Sequence, residues 1–133
     1  NCWCFEFKTE EKYTGNMFLE TWSNLPRRTT GWMYTLQTDV LLYHFQAVRE
    51  IYTIPCPKLC KWAFGVQDGD TTRVNPGRIY DFPEKKQAKY RQLNEGWGRC
   101  VPIEVLFKEV KGCRKYVDGK EVEFFPEKVH TTC

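Results

Sequence analysis

The chain has 133 residues, 41% hydrophobic and 16% aromatic, with a formal charge of +3. This suits one domain with a single core and excludes a disordered chain. No stretch reaches the ~18 apolar residues of a membrane span, and the small positive charge permits a polyanionic partner without demanding one.

Residues 2–9 alternate as a strand, with Trp3, Phe5 and Phe7 on one face, expected in a core, and Cys4, Glu6 and Lys8 on the other. Gly15-Asn16 is a turn signal, and Met17 to Trp22 predicts a second strand, antiparallel to the first across a short hairpin, carrying Phe18, Glu20 and Trp22 on one face. Ser23 to Gly31 is a loop with Pro26, Arg27 and Arg28. Thr35 to Asp39 predicts one helical turn, Val40 to Phe45 a buried strand, Ala47 to Glu50 a turn and Glu50 to Ile54 a further strand ended by Pro55. Pro57 to Phe64 reads as a short helix with proline in its first turn and Gly65 as its stop. Gln67 to Gly77 has the composition of a surface loop, and Glu84 to Asn94 is helix-prone. Cys100 to Val110 reads as a strand, and Tyr116 to Phe125 as a hairpin turning at Asp118-Gly119. No linker divides the chain, so residues 1–133 are expected to form one domain.

The cysteines number seven and no secretory signal is visible, which argues against a complete disulfide framework and for a reducing, cytoplasmic location. Cys56 and Cys60 have a spacing that zinc sites sometimes use, but a structural zinc needs two further ligands from Cys2, Cys4 or Cys100, and no second close pair has finger spacing. His44 lies mid-strand, where a satisfied sheet histidine is the common case, and no Ser/His/Asp order points to acyl transfer.

Glu6 and Lys8, two apart on one strand face, put a carboxylate beside an ammonium. A carboxylate is a hard oxygen ligand for Mg²⁺ or Mn²⁺, and a lysine can orient a water and meet charge building on a phosphate. Glu-x-Lys recurs at Glu10/Lys12, Glu84/Lys86 and Glu109/Lys111, and a solvated ion pair is its ordinary reading. Glu109/Lys111, with Asp81 upstream, is the rival pair. Lys12, Arg27 and Arg28 fall in loops, while Lys85, Lys86 and Lys89, with Arg91, would give a basic face on the expected helix. Such groups hold phosphates without reading sequence. Trp32, Tyr34 and Trp97 are candidates for stacking on exposed bases.

The order Glu6-Phe7-Lys8-Thr9, Thr14-Gly15-Asn16, Phe18-Leu19-Glu20, Gly31 to Thr35, then Gln37-Thr38-Asp39 leading to Tyr43, resembles phage-type nucleases of the PD-(D/E)XK superfamily over roughly residues 4–64. The resemblance implies an α/β (α+β) fold: a mixed central β-sheet with flanking helices and a restriction-endonuclease-like core. It implies a metal-dependent nuclease acting on DNA, with Mg²⁺ or Mn²⁺ as cofactor. Glu6 would be the metal ligand, the Phe7 carbonyl a second ligand, Lys8 the residue that positions water, and Glu20 a support for the metal shell, with Gln37 and Asp39 at the edge of the site. A homodimer is compatible with it. The family's first acid should precede Glu6, and this chain offers none there. Either an upstream strand precedes Asn1, or Glu20 or Asp39 takes the role, or the scaffold binds nucleic acid or a protein without catalysis.

Overall fold

The computed structural model describes residues 2–65, 77–87 and 95–126. Its elements in chain order are β1 (Phe5–Glu10), β2 (Asn16–Asn24), β3 (Thr29–Thr30), α1 (Trp32–Thr35), β4 (Val40–Phe45), β5 (Glu50–Pro55), α2 (Cys56–Phe64), β6 (Glu84–Lys86), β7 (Trp97–Pro102), α3 (Ile103–Glu109), β8 (Arg114–Val117) and β9 (Lys120–Val122). Short 3-10 turns cover Gln46–Val48 and Arg78–Asp81. The fold is mixed α+β with few helices. One sheet is ordered β1-β4-β5-β8-β9 and the other β3-β2-β7-β6.

Alternation in β4 and β5 drives the first sheet. Leu41, Tyr43 and Phe45, with Tyr52 and Ile54, point to one side and are buried. The turn over Gln46–Val48, closed by Arg49 in the left-handed region, brings β5 back antiparallel to β4. Asp118 and Gly119, both at positive φ, turn β8 into β9 as the sequence predicts. The buried side chains of this sheet meet Met17 and Leu19 of β2, Leu59 and Ala63 of α2, and Ile103 and Leu106 of α3 in one core. Tyr43 joins the two sheets: its hydroxyl accepts the Phe18 N–H at 3.0 Å and donates to the Glu10 carboxylate.

Five expectations change. The helical turn expected over Thr35 to Asp39 lies instead at Trp32–Thr35. β1 does not form a hairpin with the next strand. It pairs parallel to β4 at the edge of the five-stranded sheet, while β2 lies antiparallel to β7 in the other sheet. The second strand has too many apolar positions for a hairpin edge: Met17, Phe18 and Leu19 are all buried, so both of its faces are covered. Glu84 to Lys86 is a strand, not the start of a helix, because its backbone completes the free edge of β7. Cys100 to Val110 is half strand and half helix. Pro102 ends β7 and stands just before α3, and Ile103, Leu106 and Val110 are buried at helical spacing. Finally, the aromatic face of β1 is outside: Trp3, Phe5 and Phe7 are 70%, 55% and 56% exposed. Alternation separates two faces without saying which turns inward, and here Glu6, Lys8 and Glu10 share the inner side with Leu41, Tyr43 and Phe45. Among the described residues no helix is long and apolar enough to cross a membrane.

Candidate functional site

Glu6 and Lys8 lie at the rim of the inner face, on the edge strand. Lys8 Nζ is 3.1 Å from Glu6 Oε1, and the two side chains keep 31% and 35% exposure. The ammonium also sits 5.2 Å from the centroid of the Trp32 ring, which α1 carries across from the other sheet. An exposed ion pair contributes about 0–1 kcal/mol, so this pair does little to hold the fold.

Asp39 pins the start of β1. Its carboxylate accepts the Cys4 N–H at 2.7 Å, its own N–H donates to the Cys4 carbonyl at 2.8 Å, and its carbonyl takes the Cys56 N–H at 2.9 Å. That is a structural role at the entry to both β1 and α2. The Cys56 thiol beside it is pushed up chiefly by burial, opposed by the Thr38 hydroxyl, with the charges of Asp39 and Glu6 adding to the rise. Glu20 lies on β2, in the other sheet from Glu6, where Gly31 packs against its backbone and its Cγ. The sequence expectation that it neighbours Glu6 within one sheet does not hold. Gln37 is exposed on the segment before β4.

Among the described residues no group of three or more His, Cys, Asp or Glu side chains could hold a metal ion. Glu6 offers one carboxylate, already paired to Lys8. Mg²⁺ keeps its water shell unless several oxygens converge, so these residues of one chain do not by themselves fit a tightly held divalent cation.

The basic groups are divided. Lys12 is exposed after β1. Arg27 and Arg28 are exposed at the turn from β2 to β3, with Arg28 in the left-handed region. The Leu25 N–H of that turn donates to the Glu95 carbonyl at 3.1 Å, and Lys86 Nζ lies 3.9 Å from the Glu95 carboxylate. The fold thus brings Lys86 to the Arg27–Arg28 turn, which sequence spacing gave no reason to expect. Lys85 and Lys86 are successive strand residues on opposite faces of β6 rather than parts of one helical face. Lys89 and Arg91 lie outside the described residues.

A further cluster gathers around Tyr34, which the sequence marks as a stacking candidate, but its other members had no sequence signal. Tyr34 stacks on Phe64 with centroids 4.7 Å apart, its hydroxyl is 2.9 Å from that of Tyr80, and the Arg99 guanidinium lies 5.5 Å from the Tyr80 centroid. Tyr34 and Tyr80 are both half exposed. Burial and the Tyr80 hydroxyl push the Tyr34 phenol up to about 12. The residues come from α1, α2, the turn over Arg78–Asp81 and β7, so only the fold assembles them. The rival pair, by contrast, is engaged in structure. Glu109 takes two bonds from Arg78, at 2.7 and 3.0 Å, and one from the Trp62 indole at 3.1 Å, while Asp81 takes the third Arg78 bond at 2.6 Å. The guanidinium holds the Glu109 carboxyl below its usual range.

Cys2, Cys4, Cys56, Cys60 and Cys113 are free thiols, whereas Cys100 is disulfide-bonded. Burial pushes the Cys113 thiol up to about 12. The thiolate is the nucleophile, so Cys113 is expected to resist iodoacetamide at pH 8 while the exposed Cys2 and Cys4 are labelled. Peptide mass spectrometry of a timed reaction checks this.

No family model, curated protein or solved structure matches this chain.

Proposed function

We propose that the chain is a nucleic-acid phosphodiester hydrolase of the PD-(D/E)XK type, acting on DNA with Mg²⁺ or Mn²⁺, in which Glu6 and Lys8 are half of the centre. The observation that supports it is the 3.1 Å pair itself, partly exposed on an edge strand and steadied by Trp32. Lys8 would orient the attacking water and meet the charge that develops on the phosphate. Glu6 would be a metal ligand once further oxygens complete the set, and the ion, when bound, supplies Lewis-acid activation of water and phosphate. Arg27, Arg28 and Lys86 hold the backbone beyond the site, with Lys12 nearer to β1. The Tyr34–Tyr80 platform, whose Tyr34 is on the same helix as Trp32, offers a stacking surface for an unpaired base.

Purified protein with Mn²⁺ is expected to cut DNA, and Lys8→Ala to lower the rate about 100-fold or more with the fold intact. Cleavage of single- and double-stranded substrates on gels, with circular dichroism of the variant, is the measurement. Equal rates in the two proteins would reject Lys8, and intact DNA under all conditions would reject catalysis.

A second reading rests on the lone Glu6 carboxylate at the Lys8 pair, since among the described residues no three-ligand group forms. On it the same surface only binds nucleic acid, with affinity that falls steeply with salt and ignores EDTA.

A further inference from the structure

Among the described residues the outer edge of β1 has no neighbouring strand. The Cys4 carbonyl accepts the Val40 N–H at 3.2 Å, and Phe5 to Glu10 run parallel to Val40 to Phe45 in one-to-one register. Residues of a parallel ladder alternate between bonding their neighbour and facing away. Glu6 and Lys8, in phase with Cys4, therefore bond to β4. The N–H and C=O groups of Phe5, Phe7 and Thr9 face the other way, where no described strand pairs. Beside them Trp3, Phe5 and Phe7 expose their rings. Proteins ordinarily blunt or cover such an edge.

We propose that two copies of this chain pair antiparallel along this edge, with the two-fold axis at Phe7. An antiparallel partner must bond through Phe5, Phe7 and Thr9, so the axis falls on one of them or on Glu6 or Lys8 between them. At Glu6 or Lys8 it sets that charge against its own copy. At Phe5 it sets Glu6 against the partner's Cys4 and strands Lys8 outside the ladder. At Thr9 it sets Phe7 against the partner's Glu11. At Phe7 every position finds a complement: Phe5 faces the partner's Thr9, Glu6 the partner's Lys8, and Lys8 the partner's Glu6. The charged pairs occupy the positions without backbone bonds, where facing side chains come closest. On the opposite face Phe7 meets the partner's Phe7, and the exposed aromatic strip becomes continuous across the joint. The contact is isologous, as a closed dimer requires. Its consequence for catalysis rests on the nuclease reading: the partner's Glu6 arrives beside Lys8 and supplies the second carboxylate that one chain lacks. The pairing itself stands on the edge alone.

Sedimentation equilibrium of the full chain, in EDTA and without nucleic acid, tests the pairing independently of cleavage. Wild type is expected to run as a dimer. Glu6→Lys and Lys8→Glu each set like charges opposite one another twice, and each raises the dimer dissociation constant about tenfold or more. Mixed one to one, these two variants present opposite charges at both positions and associate as a heterodimer. The double variant, with the charges exchanged, regains the homodimer. Phe7→Glu, whose side chain lies on the solvent side of β1, places two like charges on the axis and gives monomer. A wild type that stays monomeric to about 100 µM, single variants that dimerise like wild type, a mixture that fails to associate, or a dimeric Phe7→Glu would each overturn the proposal.

Discussion

Tyr43→Phe is expected to lower the unfolding free energy by about 2 kcal/mol, measured by urea titration. The side chain is 2% exposed, and its hydroxyl accepts the Phe18 N–H at 3.0 Å. It also donates to Glu10, which is on the edge strand. One oxygen therefore ties β1, β2 and β4 together across two sheets. Phenylalanine keeps the ring and its packing against Phe45, with centroids 5.2 Å apart, but orphans a buried N–H. Leaving such a donor unpaired costs about 1–3 kcal/mol, a large share of the ~5–15 kcal/mol by which a domain is stable. The pH dependence has a definite sign. Burial, then the Glu10 charge and hydrogen bond, raise the Tyr43 phenol well above 10 in the folded state. The folded state therefore binds this proton more tightly than the unfolded chain does. Its contribution is full below the unfolded value, about 10, and is lost as pH rises beyond that. Tyr43→Phe should accordingly flatten part of the alkaline fall in stability seen in wild type. A variant as stable as wild type at pH 7 would show that the inter-sheet bond contributes nothing.

Gly98→Val should cost about 3 kcal/mol, at the upper end for overpacking a buried site. Gly98 is buried in β7, between Glu20 of β2 and Lys85 of β6. A Cβ there would stand 2.6 Å from the Leu19 carbonyl oxygen and 2.7 Å from the Phe18 ring. The carbonyl belongs to a strand held on both faces and cannot retreat, and the ring fills the core. Alanine meets the same two obstacles, and valine adds its methyls to the crowding. Loss of the thermal transition, or a melting temperature many degrees lower in differential scanning calorimetry, is the expected result. A melting temperature within a degree or two of wild type would mean that the sheet yields at Phe18 after all.

The local parts of the architecture were legible in the residues, and the long-range pairings were not. Val40 to Phe45 announces a strand because apolar residues are dense there and flanking turns bound it. Asp118-Gly119 announces its hairpin because the two-residue turn needs positive φ at both positions, and both have it. The helix over Cys56–Phe64 follows from Pro57 near its start and Gly65 at its stop. By contrast, β1 and β2 are neighbours in sequence with similar alternation, and only the burial of both faces of β2 separates them into different sheets. Cys100 to Val110 reads as one strand, and only the burial of Ile103, Leu106 and Val110 at helical spacing shows that its second half is helix. The Glu6–Lys8 contact was legible because residues two apart on a strand share a face. The Trp32 ring beneath Lys8 was not, since it depends on where α1 lands. Glu20 is not on a strand paired with β1 for the same reason as the hairpin, and the Tyr34–Tyr80 platform needed four separated elements to meet.

The bond from Asp39 to Cys4 and the parallel pairing of β1 with β4 join segments 35 residues apart. The β4–β5 and β8–β9 hairpins, by contrast, close over short turns. Loop-closure entropy favours the hairpins forming early and β1 docking late. β1 is paired on one side only among the described residues, so it should fray ahead of the strands paired on both sides. Glu6 and Lys8 ride on that strand. Their alignment is then a matter of equilibrium between a docked and a lifted edge, and anything that grips the edge raises the fraction of molecules ready to act.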